Sequence, residues 1–129
     1  MATWYDLSAL DALLNTIRNG APIRVRLLDT YGQGDSFAQV ETDTIAEATI
    51  TGSDFDTPQD APANARRLTF NGKSGVATNN SDAKNLHIAI TNVDTVLVVT
   101  NETSNQDITN GNPVTFPSFY MQANQPGQV

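Results

Sequence analysis

The sequence predicts a mainly β fold: an antiparallel β-sandwich, jelly-roll-like, with one N-terminal α-helix. Three observations carry this. First, Leu86, Ile88 and Ile90 alternate with His87, Ala89 and Thr91, the period of two that a strand with one buried face imposes. Asn92-Val93-Asp94 then leads into a second run, Thr95 to Thr100, so the pair reads as an antiparallel hairpin. Second, about seven short strand-like segments follow one another with turn residues between them, the spacing of a sandwich or jelly roll. Third, 16 Thr and 13 Asn stand against two Lys; Thr favours strands and Asn favours turns.

Taken in order, Leu7, Leu10, Leu13, Leu14 and Ile17 recur at three- and four-residue spacing, the apolar face of a helix. Asp6 or Ser8 can cap its start, and Asn19-Gly20 followed by Pro22 stops it. It is the one helix the pattern supports. Ile23, Val25 and Leu27 then alternate with Arg24 and Arg26, a half-buried strand with its two arginines outward. Those arginines read either as a solvated, edge-guarding face or as a patch that pairs with an acidic partner. Asp29 to Asp43 reads as an irregular acidic loop. Its Gly32-Gln33-Gly34 lacks the lysine and following helix of a phosphate loop, and its acids lack EF-hand spacing.

Thr44 to Ile50 (TIAEATI) predicts a second strand, its facing ambiguous. Gly52 to Asn64 is a connection anchored by Phe55, and Arg66 to Phe70 a third strand with Leu68 and Phe70 inward. Asn71-Gly72 and Ser74-Gly75 punctuate the chain, and Val76 to Thr78 can pair briefly. In the second run of the hairpin, Val96-Leu97-Val98-Val99 is apolar on both faces, which predicts a strand in the middle of a sheet. Asn101 to Asn112 is a polar link pegged by Ile108. Asn112 to Met121 (NPVTFPSFYM) is a last strand in which Pro113 and Pro117 demand an edge position or a bend.

At 129 residues this is a single domain over 1–129: an arm over 1–5, a helix over 6–19, a sandwich over 23–121 and a C-terminal arm over 122–129. There is no Cys and one His, so thiolate and imidazole metal clusters are not expected, and no cofactor is. A net charge of −7 argues against nucleic acid. No run approaches a membrane span, and the start lacks the basic and apolar regions of a signal peptide, so a soluble protein made in the cytoplasm is expected. Ser81, His87 and Asp94 make a hydrolytic triad on paper, but nothing beside them supplies a constrained nucleophile or an oxyanion hole. The expectation is a protein that is not an enzyme.

Trp4, Tyr5, Phe119 and Tyr120 lie next to the two ends. They read as a sugar-binding platform, as packing at the domain margin, or as anchors of terminal arms on a neighbouring subunit. A polar tail such as QANQPGQV frays unless something holds it, and an assembly partner is the simplest holder.

The order of the pieces is itself informative. A helix ending in a turn and strand (ALDALLNTIRNGAPIRVRLLD) precedes a small-acid-apolar strand (IAEATITGSDF), a hairpin (NLHIAITNVDTVLVVTNE), and a closing strand after Asn-Gly-Asn-Pro (ITNGNPVTFPSF). This order resembles a group of small tailed-bacteriophage virion structural proteins. Ile23 to Leu27, Ile45 to Ile50, His87 to Ile90, and Ile108-Thr109-Asn110-Gly111 to Phe116 occupy the places of that group's strand patterns. The resemblance implies a capsid decoration or cement protein, with a tail, baseplate or fibre-base component as the alternative. A carbohydrate-binding adsorption module is the other reading. The implied partners are the major capsid protein or other virion subunits, and a second or third copy of the chain as a dimer or trimer, in a virion. No catalytic residue is implied. The candidate partner-interface residues are Trp4, Tyr5, Arg24, Arg26, Phe119, Tyr120, Met121, Gln125 and Pro126.

Overall fold

The structure, a computed structural model, describes residues 3–20, 22–81, 86–102 and 107–126. Helix α1 (Leu7–Arg18) starts at Asp6, whose carboxylate accepts from the Ser8 N–H at 3.0 Å and also from the Ser8 hydroxyl. Leu10 and Leu14 are buried and Ile17 packs against the core, but Leu13 is 61% exposed. The buried stripe is therefore narrower than the apolar spacing predicts. The hydrogen bonds from Ser8 hold the Asp6 pKa below its ordinary value. Because the folded pKa lies below the unfolded one, the cap stabilises fully above about pH 5 and fades as pH falls through the folded value. Asp6→Ala is expected to lower Tm by a few degrees at neutral pH. The gap to the parent should narrow on acidification; a gap that stays constant down to strongly acidic pH would show that the carboxylate charge plays no part.

The strands are β1 (Ile23–Leu28), β2 (Thr44–Ile50), β3 (Gln59–Ala61), β4 (Ala65–Phe70), β5 (Lys73–Ala77), β6 (His87–Thr91), β7 (Val96–Asn101), β8 (Pro113–Phe116) and β9 (Phe119–Ala123). They form a six-stranded sheet, β7-β6-β1-β2-β5-β8, and a three-stranded sheet, β3-β4-β9, with antiparallel pairing throughout. The mainly β, sandwich-like architecture expected from the sequence is present.

The core lies between the sheets. Ile23, Val25 and Leu27 of β1, Ile88 and Ile90 of β6, Val114 and Phe116 of β8, and Leu68 and Phe70 of β4 meet there, with Leu14 of α1 at one end. Phe55 caps the cluster by stacking on Phe70, centroids 5.6 Å apart. The facing of β2 was ambiguous for a physical reason. A register shift opposite Leu27 and Leu28 places Ile45 and Ala46 in the core together, as a β-bulge does.

Five expectations are corrected. Within Asp29 to Asp43, Phe37–Thr42 form a second helix, α2, capped by Ser36, whose hydroxyl accepts from Gln39 N–H at 3.1 Å. It lays Val40 on the outer face of the large sheet, against Leu28 and Ala89. The hairpin's second strand, β7, sits at an edge with its valines half-buried, rather than in mid-sheet. Gly75 lies inside β5 rather than in a turn. The last strand divides: β8 ends at Phe116, Pro117 and Ser118 turn the chain, and β9 joins the other sheet. Both demands of the two prolines, an edge and a bend, are met. β9 also runs to Ala123, so Gln122 and Ala123 belong to the sheet and not to an arm.

Candidate functional site

The candidate interface residues fall in three places. The first is where the chain ends meet. Tyr5 N–H donates to Gln125 Oε1 at 2.8 Å, and Gln125 Nε2 donates to the Tyr5 carbonyl at 2.9 Å and the Asn64 carbonyl at 3.2 Å. A glutamine amide carries a donor and an acceptor side by side, so Gln125 pairs with the Tyr5 backbone as a neighbouring strand would. The described part of the tail is thus held by its own chain, and no neighbouring subunit is needed to order it. Pro126 follows, half-buried; residues 1–2 and 127–129 lie outside the described residues.

This latch fixes the approach to α1, whose Leu13 lies outward. Tyr5, Ala9, Leu10 and Leu13 line a shallow hollow of about 240 Å³. Trp4 is 61% and Tyr5 45% exposed. Sequence reasoning named the two aromatics but counted Leu13 with the core. The signal was there: Leu10, Leu14 and Ile17 already complete an i, i+4, i+7 stripe, and Leu13 lies beside it.

The second place is β9. Its side chains alternate, so Phe119 and Met121 point to the core while Tyr120 and Gln122 point out. Phe119 stacks on Phe70 at 5.4 Å and is a core residue at the margin. Tyr120, 56% exposed, lies under the Arg67 guanidinium, 3.9 Å from carbon to ring centroid, a cation–π contact. Arg67 also donates to Gln122 Oε1 at 3.3 Å.

The third place is the outer face of the large sheet. β1 is a central strand, so its arginines guard no edge. Arg24 is exposed and Arg26 is buried, and both reach Glu47, at 3.2 and 3.4 Å. Arg26 also donates to Thr91 Oγ1 at 3.0 Å and Thr44 Oγ1 at 3.3 Å, and its guanidinium lies over the Phe37 ring. The missed helix α2 is what covers it. Arg26 is therefore engaged inside the fold, yet it lines the same cleft as the exposed Arg24, together with Pro22, Phe37, Glu41, Asn92 and Val93.

An ion-paired cluster that the sequence reading missed joins α1 to the small sheet. Arg66 Nε donates to Asp11 at 2.6 Å, and its other nitrogens reach Asp60 and the Pro58 carbonyl. The bond to Asp11 raises the Arg66 pKa; desolvation opposes this and Asp60 adds to it. The cluster fastens the helix and so the patch it carries.

Trp4, Tyr5, Leu13 and Tyr120 are the exposed apolar and aromatic side chains of the first two places, and Arg24 is the exposed charge of the third. Comparisons with protein-family models, with curated proteins and with solved structures find no match to this chain.

Proposed function

We propose that the chain is a non-enzymatic structural subunit of a phage virion, a decoration or cement protein that stabilises the assembled head. The observation that carries the reading is the exposed Trp4, Tyr5 and Leu13, grouped where Gln125 holds the Tyr5 backbone. A held backbone lowers the ordering cost of docking, and aromatic anchors dominate the energetics of protein contacts. A net charge of −7 suits a surface turned away from packaged DNA. The mechanism is mass action: a subunit that binds only the assembled lattice stabilises it by its binding free energy. The other partners are further virion subunits and copies of the chain itself.

Quantitative mass spectrometry of purified particles tests this. Copies in the hundreds support a head protein, a small ring number moves it to the tail, and absence from particles sinks the reading. In a reconstitution with particles lacking the chain, Trp4→Ala together with Tyr5→Ala is expected to weaken attachment about 30-fold, the loss of roughly 2 kcal/mol of anchor contact. Unchanged attachment would remove the patch from the interface.

A further inference from the structure

We propose that β7 pairs antiparallel with β7 of a second copy of this chain, across a twofold axis at Val99, so that two six-stranded sheets become one. The inference rests on the self-association part of the reading above and not on the virion, since such a dimer needs no particle.

The backbone geometry leads there. Glu102 N–H donates to the Leu86 carbonyl at 2.9 Å, and Ile88 lies opposite Thr100. Bonded and non-bonded pairs alternate in an antiparallel ladder. The groups of Thr100 and Val98 therefore face β6, and those of Val99 and Asn101 face the open side. Among the described residues no strand lies on that side.

Natural edges are guarded by shortness, proline, charge or a covering element. β8 has four residues and begins with Pro113; β3 has three and carries Asp60; β9 packs against α1. Among the described residues β7 has none of these four guards; it carries only a bulge, Leu97 being the extra residue where the register shifts opposite Ile90 and Thr91, so its regular ladder runs from Val98 to Asn101. The strand is six residues long, about 20 Å end to end, and its side chains from Val96 to Thr100 are half-buried, with Asn101 exposed.

Charge permits a second copy as the occupant at this edge. Each copy carries −7, so two copies repel unless they meet at a neutral stretch. Thr95 to Asn101 is such a stretch, flanked by Asp94 and Glu102. A twofold axis at Val99 sets Glu102 opposite Val96 of the second copy, so no carboxylate faces another across the ladder. Each copy offers the other the donors and acceptors it lacks, which is the self-complementarity an isologous dimer requires. A shallow trough beside the edge, lined by Tyr31, Gln33 and the β7 residues, leaves room for the incoming strand's side chains.

The test is the mass of the full chain in solution, by sedimentation or light scattering across a concentration series. The parent is expected to be dimeric in the micromolar range. Val99→Pro should be monomeric at the same concentrations with an unchanged circular dichroism spectrum, because the amide it removes bonds nothing in its own sheet. Should that variant fail to fold, Val99→Lys serves, placing a charge on the edge. Val99→Cys, the sole thiol in the chain, should oxidise to a covalent dimer, since bonded pairs hold Cα atoms about 5.5 Å apart. A monomeric parent would overturn the proposal, as would a dimer that survives both Val99→Pro and Val99→Lys. Neither result touches the copy-number test of the virion reading.

Discussion

Phe70→Ala is expected to cost about 4 kcal/mol of folding free energy, the range for deleting a buried phenylalanine. In a chain of this size that is a Tm lower by roughly 15 °C. Phe70 has no exposed surface and is held between Phe55, from the connection before β3, and Phe119, from β9. Each tilted ring contact adds about 1 kcal/mol to the area that is buried. Because the three rings come from separate segments, the void left by alanine cannot be filled by one of them without pulling another away. Urea denaturation with the slope held in common gives the value. A loss under about 1 kcal/mol would mean that the ring cluster is not the centre of the core.

Gly75→Ala is expected to destabilise by about 3 kcal/mol, although it adds only a methyl group. A Cβ at Gly75 would lie 2.7 Å from the Glu47 carbonyl oxygen, 2.8 Å from Cε2 of Phe116 and 3.2 Å from Cβ of Ala48. The first of these is backbone of the neighbouring β2, so relief requires opening the β2–β5 pairing. The Phe116 ring is itself buried and has little freedom to turn away. The expected signature is a lowered urea midpoint, accompanied by faster amide exchange in β5 and β8. A neutral result would show that β5 stands further from its neighbours than this packing implies.

Much of the fold was legible because its segments obey one local rule at a time. TIAEATI gives β2 with the same bounds, and the alternation at Ile23 to Leu27 gives β1 apart from its last residue. β7 shows where such reading runs out. An apolar run covered on both sides and an apolar run at an open edge have the same composition; the difference lies in which strands arrive beside it. α2 was missed because six residues offer a single apolar repeat, Phe37 and Val40, too little for a helical period. The Ser36…Gln39 spacing of a helix start was the available signal. Missing α2 also misplaced Arg26, since the side chain that strand alternation sends outward is the one the helix buries. The candidate patch was half legible. Trp4 and Tyr5 are marked by their place before the helix, whereas the pairing of Tyr5 with Gln125 spans 120 positions and has no local trace.

That pairing also decides where attachments to the molecule emerge. With Tyr5 and Gln125 side by side, groups attached at these two positions leave from the same pole of the domain. A label at one of them thus crowds the surroundings of the other, and a short covalent bridge between the two would close that span of 120 positions into a loop.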